Sequence, residues 1–183
     1  MKQILLIACM AFLIAGCNSA ENKDATKETA VTTTATPATN VVLPYTLDKP
    51  YKDWQIGSAE NTVVAMKSLK TFVDKDFAGL AATLADSVDV RVDGYQQKLS
   101  RDSAIKMFTN IRNDYNDLVI SMYDYESVIS ADKKTEWVTL WYKQAWKDAK
   151  GKADSLSIID DCKIENGKMA VLDEKIQHFQ AKK

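Results

Sequence analysis

The sequence predicts an α+β fold in which helices come first and a run of long antiparallel strands follows. Three observations carry this expectation. Apolar residues recur at helical spacing over 58–74, 76–85 and 100–115. From 118 onward that period gives way to three long stretches of strand character, and Asn166-Gly167 then forms a two-residue hairpin turn into a final strand. Helices gathered ahead of strands, rather than alternating with them, argue against a parallel α/β sheet.

Before any of these elements stands MKQILLIACMAFLIAGC, residues 1–17. Lys2 is its basic start, and Ile4 to Ala15 form an apolar core too short to span a bilayer comfortably, so the stretch reads as a signal peptide and not an anchor helix. Its end, Ile14-Ala15-Gly16-Cys17, resembles the bacterial lipobox. That resemblance implies removal of 1–16, lipidation of Cys17 and attachment to the membrane through it. Several acyl chains on one residue exceed what stable anchoring needs. The expected location is the bacterial cell envelope, and Asn18 fits sorting to the outer membrane, with the domain facing the periplasm or the surface.

With Cys9 in the signal and Cys17 lipidated, Cys162 is left without an intramolecular disulfide partner and reads as a small buried hydrophobe. Residues 18–40, rich in Thr, Ala and charge and free of aromatics, read as a disordered tether that lifts the domain off the membrane. Residues 41–53 carry two prolines and two tyrosines and read as an arm without regular structure, so that 17–53 precedes a folded domain at 54–183.

In that domain Ser58 caps a first helix on which Val63, Met66, Leu69, Phe72 and Val73 are the apolar positions. A tight corner at Asp74-Lys75-Asp76 leads to a short helix over 76–85 with Phe77, Leu80, Ala81 and Leu84 on one face. Ser87 to Val92 alternates as a half-buried strand and Asp93-Gly94 turns it. Ser100 or Asp102 caps a third helix whose apolar face is Ala104, Met107, Phe108, Ile111 and Tyr115, with Lys106, Asn110, Arg112 and Asn113 off it. The strands then run from about 118 to 129, 135 to 146, 153 to 164 and 169 to 179. In 135–146 both alternations are apolar, with Trp137 and Trp141 on one face and Val138, Leu140, Tyr142 and Trp146 on the other, so both faces are expected to be covered.

The order helix, helix, strand, helix and long strands resembles the nuclear transport factor 2 (NTF2-like) superfamily, and within it the SnoaL-like domains. The local matches are Asn61 in the first helix, Asp86-Ser87-Val88-Asp89-Val90 leading to Asp93-Gly94, Trp137-Val138-x-x-Trp141, and Glu165-Asn166-Gly167-Lys168-Met169. The resemblance spans 54–179 and implies a cone-shaped barrel: three helices held in a strongly curved antiparallel sheet, a pocket at the open end, and a homodimer formed through the sheet. It says little about activity, because the fold hosts isomerases, dehydratases, cyclases, hydrolases and non-catalytic binding domains.

The catalytic branches of that superfamily place an Asp in the pocket with His, Tyr, Arg or a second Asp beside it. The residues that could serve here are Asp93, Tyr95, Tyr115, Asp160, Asp173 and His178, with Asp93, Asp160 and His178 the weak catalytic candidates. Asp93 precedes a glycine and reads first as a turn residue. Asp160 and Asp161 are adjacent on a strand, so one faces inward, where a carboxyl is unfavourable unless paired. His178, the only histidine, sits in a polar stretch and reads as a solvated strand end. No residue is assigned as catalytic.

Trp137, Trp141, Tyr115, Tyr142 and Met107 are the residues expected to line a ligand pocket for a small apolar or amphipathic molecule. The aromatic set, with Trp54 and Trp146, serves equally as core and dimer interface. A single His and no Cys cluster give no metal site, and no Gly-rich phosphate loop or nucleophile elbow points to a cofactor or an acyl enzyme. A formal charge of -1 gives no basic stripe for nucleic acid. The leading expectation is non-catalytic binding of a ligand or envelope partner; the alternative is an isomerase, lyase or hydrolase using a pocket Asp as general acid/base.

Overall fold

The computed structural model describes residues 43–177. Cys17, the signal and tether segments and His178 lie outside the described residues. A compact unit begins at Tyr45. Residues 43–54 have no helix or strand, and Lys52 O accepts a hydrogen bond from Ala131 N at 3.0 Å. Among the described residues no helix is long and apolar enough to cross a membrane.

The elements run β1 (Gln55–Ile56), α1 (Ala59–Val73), α2 (Phe77–Thr83), β2 (Leu84–Val92), β3 (Tyr95–Ser100), α3 (Arg101–Asn113), β4 (Asn116–Ile129), β5 (Glu136–Lys147), β6 (Ala153–Glu165) and β7 (Lys168–Gln177). The seven strands make one curved, unclosed sheet in the order β1-β4-β5-β6-β7-β2-β3. All neighbours are antiparallel except β2 and β7. Helices ahead of strands thus yield the expected α+β class.

Helix α1 starts where the sequence predicts, with Ser58 Oγ accepting from Asn61 N at 3.1 Å. Of the expected apolar positions, Met66, Leu69 and Phe72 pack against the core, but the most buried residues of the helix are others. Thr62, Ala65, Ser68 and Thr71 are buried, whereas Val63 is 61% exposed. Small side chains can lie flat against the sheet where larger ones at the flanks extend beyond it. The hydroxyls are satisfied locally: Thr62 Oγ1 donates to Ser58 O at 3.2 Å and Thr71 Oγ1 to Lys67 O at 2.9 Å.

Helix α3 is capped by Ser100, whose Oγ accepts from Ser103 N, and carries Asp102 in its first turn. Arg112, expected off the apolar face, is buried. Its Nε and Nη2 donate to Val73 O at 3.0 and 2.8 Å, and its Nη1 donates to Tyr115 O at 2.6 Å. The guanidinium therefore satisfies a terminal carbonyl of α1 that helix geometry leaves without a partner, which is why burial of this charge is tolerated.

Two hairpins turn on residues with positive φ. Asp93 and Gly94 have φ 43° and 86°, and Asn166 and Gly167 have φ 51° and 68°, the pattern of a two-residue turn matched to strand twist. The first creates β3, an exposed edge strand whose sequence YQQKLS lacks the alternation that would have announced it. Strand β5 buries Glu136, Val138, Leu140, Tyr142 and Gln144 on one face. With Ala65, Leu80, Ala104, Phe108 and Ile158 they belong to the shell where helices meet the sheet.

Candidate functional site

The helices leave a cavity of about 290 Å³ between them and β5, β6 and β7. Its walls are largely apolar, with Leu69, Phe72, Phe108, Ile111, Leu172 and Ile176 among them, and Ala65 and Ser68 leave room where larger side chains would fill it. Five polar side chains converge on the sheet side: Tyr115, Tyr142, Gln144, Asp160 and Glu174. A mostly apolar concavity with a few converging polar groups is the usual form of a small-molecule site.

Strand geometry explains the convergence. Asp160 on β6 lies directly opposite Glu174 on β7, and Tyr142 on β5 is one diagonal step away. Tyr142 Oη donates to Asp160 Oδ2 at 2.9 Å in a buried hydrogen bond. Asp160 is only 5% exposed, and its Oδ1 has no hydrogen-bond partner among the described residues. Asp161, one residue on, points to the other face, where it accepts from Thr139 Oγ1 and Lys175 Nζ, both at 2.7 Å.

The electrostatics follow from burial. Desolvation, then the neighbouring Glu174 carboxyl, holds Asp160 protonated well above the ordinary carboxylate range. Glu174 is pushed up to about 7, first by desolvation and then by the charge of Asp93 at the β2–β3 turn. Tyr142 is raised by burial and by Asp160, and Tyr115 by burial and Glu174. Burial also raises Cys162, which lines the same cavity two residues from Asp160 and is an unreactive thiol there. The pair thus joins a carboxylic acid that keeps its proton to a carboxyl that exchanges one near neutrality.

Of the residues expected at a site, Tyr115, Tyr142 and Asp160 line the cavity. Tyr115 also packs on Trp146 with ring centroids 5.0 Å apart. Trp137 and Trp141 do not line it: they alternate with the inward residues of β5 and stand half-buried on the opposite face. Met107 packs against the core but outside the cavity lining. Asp93 occupies the hairpin turn, and Tyr95 is exposed, its hydroxyl bonded to Gln97 Oε1 at 2.7 Å. Asp173 is on the outer face with Arg91 at 3.7 Å and Lys175 at 3.3 Å. Among the described residues no cluster of three His, Cys, Asp or Glu could hold a metal ion.

Glu174 and Gln144 are the members that sequence reasoning missed. Counting outward from the Asn166-Gly167 hairpin pairs Glu165 with Lys168 and Ile164 with Met169, which would bring Asp173 opposite Asp160. A register shift between Lys163 and Ile164 accommodates Ala170 as an extra residue on β7 and brings Glu174 there instead. The available signal was the spacing of Leu172 and Ile176, whose inward placement requires Glu174 to face inward with them.

No family model matches the chain, and no curated protein sequence matches it. Solved structures do resemble it. An NTF2-like protein of unknown function from Burkholderia pseudomallei is 14% identical over 66% of this chain and 92% of its own, with TM-score 0.54. AusH from Aspergillus nidulans is 12% identical, covering 69% and 90% respectively, at 0.54. An LEH-like epoxide hydrolase from M. tuberculosis is 11% identical, covering 66% and 84%, at 0.53. At these identities the likeness is one of fold: the domain has the NTF2-like fold.

Proposed function

We propose that this chain is a lipid-anchored envelope protein whose domain binds a small, largely apolar molecule inside the cone. One observation carries the reading: the adjacent carboxyls Asp160 and Glu174 line an open, largely apolar cavity together with Tyr115, Tyr142 and Gln144. A largely apolar concavity with a few converging polar groups encloses an apolar body and orients it. A thermal-shift screen of small aromatic and alicyclic compounds tests it. Compounds that fill the cone raise Tm in the wild type but not in Ile111→Trp; a flat screen sinks the reading. Lipidation at Cys17 supplies the anchor, and labelling with radioactive palmitate, lost in Cys17→Ser, tests that part. A homodimer through the outer face of the sheet, centred on Trp137 and Trp141, completes the proposal.

Proton-transfer catalysis in the same cavity is a second reading, favoured by Glu174 at about 7 beside protonated Asp160. One group can give a proton while the other takes one. Exchange of an enolisable ketone's α-protons in D2O, followed by NMR and lost in both Asp160→Asn and Glu174→Gln, distinguishes catalysis from binding alone.

A further inference from the structure

On the outer side of β2, β6 and β7 the carboxylates have cations. Asp89 pairs with Arg91 at 2.5 Å, Asp161 with Lys175 at 2.7 Å, and Asp173 with both. The inner side carries Asp160 and Glu174, and among the described residues no Lys, Arg or His lines the cavity. Carboxylates on the outer face thus have cations within reach, whereas the two adjacent carboxyls of the cavity have none in its lining. Asp160 is 5% exposed and its Oδ1 has no hydrogen-bond partner among the described residues. The same cavity is lined by the rings of Phe72, Phe108, Tyr115 and Tyr142, with Phe72 and Phe108 edge-to-face at 6.4 Å.

We propose that the occupant is an organic monocation, a protonated amine on an apolar body, whose ammonium sits between the Asp160 and Glu174 carboxyls and whose body lies among the aromatic rings. The inference rests on the ligand-binding reading and adds the charge of the ligand. An ammonium offers N–H donors to both carboxyls at once, and aromatic faces beside it add cation–π attraction that is strongest where water is excluded. A carboxylate ligand would meet two carboxyls with no cation to offset them, so anions are rejected. A neutral alcohol can bond to one carboxyl but gains nothing from the second.

Proton balance gives the inference a specific signature. In the empty cavity the pair retains protons that water-exposed carboxyls would have lost. The surroundings that set this are Asp93 from the β2–β3 turn, Asp161 and Lys175 from the outer face, and Tyr115, Tyr142 and Cys162 within the lining. An arriving ammonium makes a charged carboxylate favourable, so a proton leaves to solvent as the amine enters. Amine affinity accordingly rises between pH 5.5 and 8, while alcohol affinity stays level or falls.

The test is calorimetric titration of the full chain with 3-phenylpropylamine, 3-phenylpropan-1-ol and 3-phenylpropionate, in two buffers of different ionisation enthalpy. The amine is expected to bind at least tenfold more tightly than the alcohol at pH 7, with a buffer-dependent heat that reports proton release, and the acid not to bind. Glu174→Gln removes the amine's advantage over the alcohol, and a circular dichroism spectrum and a cooperative unfolding transition like those of the wild type show that the variant is folded. Equal or tighter binding of the alcohol, or amine binding without proton release, overturns the inference while leaving the ligand-binding reading intact. No heat from amine or alcohol at millimolar concentration overturns both.

Discussion

Asp160 and Glu174 face each other across the β6–β7 ladder, both turned to the cavity, so that two like charges would be adjacent in a poorly hydrated place. The sheet accommodates them by keeping them protonated. The sign of the resulting pH dependence follows. Glu174 holds its proton to about 7 in the folded state against an ordinary 4.5, so its contribution is complete below 4.5 and lost as pH rises through 7. Asp160 acts in the same direction. Relative to Glu174→Gln, the wild type should lose up to about 3 kcal/mol of stability between pH 5 and 8. Urea unfolding of both proteins at the two pH values measures the difference; parallel curves would contradict it.

Arg112 of α3 bonds to two carbonyl oxygens, Val73 O at the end of α1 and Tyr115 O just before β4. Arg112→Met keeps the bulk of the stem and removes every donor. The expected loss is about 2–4 kcal/mol, because two acceptors in a buried setting lose their partner. Since Tyr115 sits on the cavity wall, ligand affinity should fall as well, and a variant that loses stability alone would confine Arg112 to a structural role.

Ile111 lines the cavity yet is 37% exposed, which makes it the place to close the cone without overpacking the core. Ile111→Trp is expected to change stability by less than about 1 kcal/mol and to weaken any cavity ligand at least tenfold. Binding that survives this change would place the ligand elsewhere, such as the open groove along Ile56, Val63 and Tyr125.

Much of the fold was legible because its signals are local. Asn166-Gly167 and Asp93-Gly94 both adopt the turn conformation their residue types favour, and Ser58 and Ser100 both cap helices. The site was legible only in part, because what composes it is relational. Alternation put one of Asp160 and Asp161 inward, but only the neighbouring strands say which. The bulge at Ala170, with no glycine or proline to mark it, decides that Glu174 and not Asp173 joins Asp160. Likewise the inner face of α1 combines the expected Met66, Leu69 and Phe72 with the small Thr62, Ala65 and Ser68, while Val63, which hydrophobicity also pointed to, is exposed. Trp137 and Trp141 were assigned to a pocket for their chemistry, yet the alternation of β5 puts them on the far side of the sheet from it.

That far side yields the remaining prediction. Trp141 stands between Asp124 of β4 and Ile159 of β6 on the outer face, and Ile159 and Val119 there are 36% and 57% exposed. Large apolar side chains gathered on one sheet face favour association, and a charge at the centre of such a patch opposes it because it must be desolvated. Trp141→Lys should therefore convert a dimer into a monomer while leaving the cavity on the other face untouched. Sedimentation velocity reads the first effect, and an unchanged thermal shift with a cavity ligand reads the second. A wild type that sediments as a monomer at all concentrations would remove the sheet-mediated dimer from the proposal and leave the indoles as solvent-facing cover for β5.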